Sequence, residues 1–263
     1  MHEDARTETA TATKTVNVYH CHADNIGDRL CGPAQYFWPD KVATADFAKT
    51  LAAPENLILG GGQVFGQLSA YAEHYKDSLA GALIAWGVGV PDKGKQTAQV
   101  LDVASRFALF GTRHYGWRDT LTFVPCASCM SAAFDTVPEP THEVVLYAHR
   151  RKTPEFTAEE GVPFITNRNQ SAQSVIDFIA SGETVVTSSY HGVYWAQLLG
   201  RKVLCIPYNR KFSTLQHPAV TTTETSWRSM LSLAKRTEPL LDAYREINRR
   251  FAVQVAERLE LDD

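Results

Sequence analysis

The segment Ser188-Ser189-Tyr190-His191-Gly192 joins a short apolar run to a helical pattern. A helix that begins directly after a strand presents first-turn N–H groups, which together make an anion site. A histidine in that turn, His191, could give a proton to a bound substrate or take one from it. The plainer alternative is a capping serine and a packed histidine. Lys211 follows a later apolar run and supplies a positive point charge. Asn25-Ile26-Gly27-Asp28 follows the first run. It reads as a helix cap with Asp28 in the first turn, or as one lip of a site. Gly60-Gly61-Gly62 either turns the chain tightly or lets a ligand approach the backbone. No Lys-Ser/Thr follows it, so it is not a complete phosphate loop. Arg113, Arg118, Arg150 and Arg151 also lie just past apolar runs. Arginines there can grip a carboxylate or phosphate bidentately, or serve as ordinary surface residues.

Cys126-Ala127-Ser128-Cys129 has the spacing of a redox or zinc pair. A redox pair belongs near the start of its βαβ domain, whereas this one follows the fifth apolar run. Zinc needs further ligands. His20, Cys21 and His22 match by type, but their spacing does not support a site, so no metal is expected. Cys31 and Cys205 read as small core residues.

The elements that would position these residues alternate in type. Strand candidates span 15–21, 56–60, 81–90, 107–111, 121–124, 143–148, 183–187 and 202–206. They are short and apolar on both faces, as buried parallel strands are. Helical spacing appears at 97–106, 171–180 and 191–199. The alternation predicts an α/β fold with two Rossmann-like domains and a cleft at their strand ends. The Pro-containing stretch 136–141 reads as the linker. We therefore expect a disordered tail at 1–14, a first domain at 15–136, a second at 141–237 and a terminal helix at 238–263. On that last helix Leu240, Tyr244, Ile247, Phe251, Val255 and Leu259 share one face. Arg245, Arg249 and Arg250 fall on the other, which reads as a solvated face or one near a membrane surface.

Composition narrows the class. The 263 residues carry a formal net charge of −3, which gives no basic surplus for nucleic-acid binding. No apolar run is long enough to span a bilayer, and the N-terminal stretch lacks a secretory pattern. The odd count of five cysteines argues against a disulfide framework. These features predict a cytoplasmic protein.

Four motifs together resemble the polysaccharide pyruvyl transferases: Asn25-Ile26-Gly27-Asp28, Gly60-Gly61-Gly62, Arg118-Asp119, and Ser188-Ser189-Tyr190-His191-Gly192 with Lys211. They span residues 17–212, and the run from Val186 to Lys211 is the most specific. The resemblance implies two domains arranged as in GT-B glycosyltransferases, with the acceptor on the first and the donor on the second. It implies transfer of a carboxyethylidene group from phosphoenolpyruvate to a sugar of a cell-surface glycan or its lipid-linked precursor. Phosphate leaves, and no cofactor beyond this co-substrate is implied. Arg118, His191 and Lys211 take the donor-handling roles. Ser188, Ser189 and Gly192 would adjoin the donor, and Asn25, Gly27, Gly61 and Gly62 would line the acceptor side. Many members of the family carry arginine where this chain has Ser189. Arg113, Arg150 or Arg151 would then supply the missing contact.

The chemistry agrees with the residue types. A small anion bearing both phosphate and carboxylate needs several cations close together. His191 is the expected general acid, with Asp28 or Asp119 the base for the sugar hydroxyl. Two rival functions remain: a nucleotide-sugar glycosyltransferase of the same fold, and a binding module without chemistry.

Overall fold

The computed structural model describes residues 14–47, 51 and 54–261. The predicted tail therefore lies almost wholly outside the described residues. The first sheet contains β1 (Thr15–Val18), β2 (Ala43–Ala45), β3 (Asn56–Gly62), β4 (Leu83–Val88), β5 (Leu109–Thr112) and β6 (Thr122–Phe123). The second contains β7 (His142–Ala148), β8 (Phe164–Thr166), β9 (Gly182–Thr187), β10 (Lys202–Cys205) and β11 (Val220–Thr221). Pairing is parallel throughout both sheets. Every residue of β3 and β4 is buried, which explains why, past Asn56, their sequences are apolar.

The strand order is β2-β1-β3-β4-β5-β6 in the first sheet and β8-β7-β9-β10-β11 in the second. Each sheet is thus doubly wound and reverses direction once, between β1 and β3 and again between β7 and β9. Such a switch point opens a crevice beyond the strand carboxyl ends, where ligands bind.

The helices are α1 (Ile26–Arg29), α2 (Ala34–Phe37), α3 (Phe65–His74), α4 (Thr97–Ala104), α5 (Ala172–Ala180), α6 (Tyr190–Leu198) and α7 (Leu241–Leu259). Reciprocal side-chain caps from Ser171 and Ser174 start α5. Helix α6 is buried along its whole length. It lies at the junction, where Tyr194 Oη donates to the Cys126 carbonyl at 2.8 Å and Trp195 Nε1 to Ser128 Oγ at 3.0 Å.

Helix α7 spans both halves. Tyr244 joins the core of the second sheet, while Phe251, Val255 and Leu259 pack with Trp86 of the first. Arg245 is not on a solvated face as expected. It donates to the carbonyls of Cys129 and Ser131 and pairs with Asp135 at 2.7 Å. Among the described residues, no helix is long and apolar enough to cross a membrane.

Candidate active site

Both switch points open into one cavity of about 290 Å³. His20 reaches it from beyond β1, Gln63 from β3, Arg113 from β5, and His149, Arg151 and Lys152 from β7. Ser189, Tyr190 and His191 reach it from β9, and Tyr208, Asn209 and Lys211 from β10. Asn25 and Asp28 complete the lining. A recess of about 190 Å³ adjoins it, sharing Asn25, Asp28, His149 and Arg151 and adding Asp24, Asn167 and Arg168. A larger cavity, about 470 Å³, lies instead at the amino end of β4, against Tyr75, Phe107 and Arg258. Its cations, Lys76, Arg106 and Arg258, gather at the amino end of the strand, away from the switch point where ligands collect.

Four cations, Arg113, Arg151, Lys152 and Lys211, line the cleft cavity with one carboxylate, Asp28. Arg113 is the most deeply placed. It is 5% exposed, its guanidinium lies 4.2 Å from the Tyr190 ring centroid, and its Nη1 has no hydrogen-bond partner among the described residues. A buried donor of this kind is costly unless a ligand satisfies it.

Lys211 is placed by a local cap, with its backbone N–H donating to Asn209 Oδ1 at 3.1 Å. Its Nζ donates to Tyr208 Oη and lies 4.7 Å from that ring, 5.6 Å from Phe212 and 5.8 Å from Tyr190. Burial, and then the nearby Arg113 charge, bring its pKa down to about 8. His149 has a buried Nδ1 with no hydrogen-bond partner among the described residues. Burial and then Lys211 lower its pKa to about 4, so its ring is neutral.

Asp28 is oriented by Asn25, whose Nδ2 donates to Asp28 Oδ2 at 2.8 Å while its Oδ1 accepts from Gly27 N–H. The segment is tied to the second domain by Ile26 N–H to the Asn167 carbonyl and by the Asp24–Arg168 ion pair.

His191 lines the cavity but is 5% exposed. Its Nε2 lies 3.4 Å from Cys31 Sγ and 3.6 Å from Cys126 Sγ, and the two sulfurs are 3.4 Å apart. Cys31 is therefore more than a core filler. The hydrogen bond to Cys31, assisted by His191 and Arg113, holds the Cys126 thiol well below its ordinary pKa despite burial. The same pairing, together with burial, pushes the Cys31 thiol up. The ligand types weighed from sequence do not meet: His20 packs its ring on Phe47, and Cys21 Sγ lies 4.0 Å from an Asp46 carboxylate oxygen.

Several expected site residues are elsewhere. Arg118 is exposed, stacks on Tyr115 and pairs with Asp119 at 3.8 Å; it is not among the cavity's lining residues. Neither is Arg150, whose backbone is held by Asn167 Oδ1. Arg113 and Arg151 are the two that share the cavity with Ser189. Ser188 is fully buried, its hydroxyl accepting from His149 N–H at 2.9 Å and bonding Thr153. It thus positions His149. Ser189 caps α6 only with its backbone, and its own N–H is taken by Thr187 Oγ1. The anion site read from this turn thus lacks the amide of Ser189.

The glycines make space rather than lining. A Cβ on Gly27 would sit 2.1 Å from His191 Nδ1, one on Gly61 2.0 Å from Cys31 Cβ, and one on Gly192 2.2 Å from Thr187 Oγ1. Gly61 and Gly62 also adopt φ of 73° and 89°. Tyr190, Tyr208, His149 and Lys152 were missed as site residues. Tyr190 carried a signal through its place in the 188–192 motif, and His149 and Lys152 through theirs beside Arg150 and Arg151 at a strand end.

No protein-family model matches the chain, and no curated protein sequence matches it. A solved structure from Listeria monocytogenes, named for UDP-N-acetylglucosamine 2-epimerase activity, superposes with a TM-score of 0.56 at 12% identity, covering 96% of this chain and 98% of its own. A functionally uncharacterized protein of Klebsiella pneumoniae gives 0.49 at 13% identity over 77% and 86%. The wall teichoic acid polymerase TagF gives 0.44 at 10% over 95% and 85%. The likeness to the Listeria protein runs the length of both chains. This chain has a GT-B-like fold of two parallel-sheet α/β domains with a long C-terminal helix.

Proposed function

We propose that this GT-B-like chain is a pyruvyl transferase that takes phosphoenolpyruvate as donor and builds a pyruvate ketal on a sugar. The observation that carries the reading is Arg113, a buried guanidinium with an unsatisfied Nη1, in a cavity it shares with Lys211, Arg151 and Lys152. The volume of about 290 Å³ is at the small end for ligand sites and suits a compact donor. Charge-assisted hydrogen bonds from these cations would hold its phosphate and carboxylate.

Each step has a candidate group. Lys211 gives the enol carbon a proton, and a pKa of about 8 keeps it protonated yet able to release that proton at neutral pH. His191, expected from sequence as the acid, turns its Nε2 toward two sulfurs, which favours Lys211. The cationic carbon is then attacked by an acceptor hydroxyl, whose proton passes to Asp28. Asp28 faces both the cavity and the polar recess, where a sugar would lie. A second hydroxyl displaces phosphate, which carries that hydroxyl's proton away. Asp28 returns its proton to Lys211 through solvent, so the cycle closes.

A second reading draws on the Listeria protein's name and has this chain act on a nucleotide sugar. The two separate in one assay. The chain is incubated with a panel of glycosides and either phosphoenolpyruvate or UDP-N-acetylglucosamine, and products are followed by NMR. Pyruvyl transfer predicts phosphate release matched by a ketal methyl signal. Turnover of the nucleotide sugar, with phosphoenolpyruvate untouched, overturns it.

A further inference from the structure

Three side chains distant in sequence meet at the inner wall of the cleft. Cys31 follows α1, Cys126 follows β6, and His191 opens α6. All three are buried, and their ligand atoms form a triangle with edges of 3.4, 3.4 and 3.6 Å. A tetrahedral ion with Zn–S of about 2.3 Å and Zn–N of about 2.0–2.1 Å sets sulfur about 3.8 Å from sulfur and about 3.6 Å from nitrogen. The triangle needs to open by less than about 0.4 Å to reach those values.

Two neighbours leave no room but for glycine. A Cβ at Gly27 would collide with the His191 ring, and one at Gly61 with Cys31. Outer contacts are also in place. Ser128 Oγ donates to Cys126 Sγ at 3.3 Å and itself accepts from Trp195 Nε1. Hydrogen bonds of this kind orient metal ligands.

We propose that Cys31, Cys126 and His191 bind a zinc ion beside the cleft cavity. Binding forms two Zn–S bonds and one Zn–N bond, and each thiol that carries a proton releases it to solvent. The two thiolates balance the ion's charge within the site. Three protein ligands leave one position for water or a substrate oxygen, the pattern of a zinc site that takes part in chemistry. The site also joins segments from both domains. The inference does not depend on the donor's identity.

The full-length chain, expressed with zinc and dialysed without chelator, is assayed for metal by plasma mass spectrometry. About one zinc per chain is expected, with loss of most of it in Cys31→Ser, Cys126→Ser and His191→Ala, and retention in Cys205→Ser. Cobalt exchanged into the wild-type protein should give a thiolate-to-cobalt charge-transfer band, which reads the ligand set without any variant. Wild-type protein that retains no zinc and gives no cobalt band overturns the proposal. So does a Cys31–Cys126 disulfide in the freshly purified protein, or zinc that survives loss of Cys31 and Cys126.

Discussion

Lys211 carries a conflict between stability and chemistry. Its pKa of about 8 lies below the ordinary lysine value of 10.5 because burial and Arg113 disfavour its charge. Lys211→Met removes a charge whose burial costs on the order of 3 kcal/mol at neutral pH. The variant should therefore melt at a higher temperature than the parent at pH 7 while losing transfer at least 10²-fold. The sign with pH is fixed. Between about 8 and 10.5 the unfolded chain binds more protons than the folded one, so the parent gains stability as pH rises. The gap between parent and variant in differential scanning fluorimetry should narrow over that window. Activity runs the opposite way, and kcat should fall as pH rises through about 8, where the folded lysine loses its proton.

Gly27 gives a second test at this scale. A methyl group there meets the His191 ring at 2.1 Å, so Gly27→Ala should displace that ring. A loss of stability of about 1–3 kcal/mol by urea titration is expected. Much of this site was legible in sequence. His191, Lys211 and Asp28 follow apolar runs, and strand ends are where ligands collect. Arg118 and Arg113 follow the same strand, and only depth separates them. The family resemblance points to Arg118 for the donor, and sequence type says nothing of depth for an arginine. The thiol–histidine cluster was hidden for a related reason, since its members come from three separate elements.

At the scale of elements, the long apolar runs were readable and the short edge strands were not. β2, β8 and β11 have two or three residues each and are only partly buried. Too few side chains face the core in these strands to set a period. Helix α6 was placed at its first turn, but its complete burial follows from packing against the 126–130 segment, which no local pattern encodes. Helix α7 shows the reverse, an amphipathic stripe that predicted its buried face. Asn248 interrupts that stripe. It accepts from Trp86 Nε1 at 2.8 Å and donates to the Tyr244 carbonyl at 2.9 Å, fixing the helix to the first sheet. Asn248→Leu strands a buried indole N–H and should cost about 1–3 kcal/mol in urea unfolding, with Trp fluorescence reporting the change.

For the whole molecule, two doubly wound sheets turn their switch points toward one small cavity. The cations there come from strand ends in both domains, so donor binding should also hold the domains together. Phosphoenolpyruvate at about a hundred times its dissociation constant should stabilise the chain by about 2.7 kcal/mol. Glycerol 3-phosphate, which lacks the carboxylate, should stabilise it less in the same thermal shift series.

The central claim is that Arg113 and Lys211 make this cavity a site for a phosphate-and-carboxylate anion. Calorimetric titration with phosphoenolpyruvate, for the parent chain and for Arg113→Met and Lys211→Met, tests it directly. Saturable binding by the parent, weakened at least tenfold in each variant, is the predicted result. Equal affinity in all three, or binding of UDP-N-acetylglucosamine with none of phosphoenolpyruvate, would contradict it.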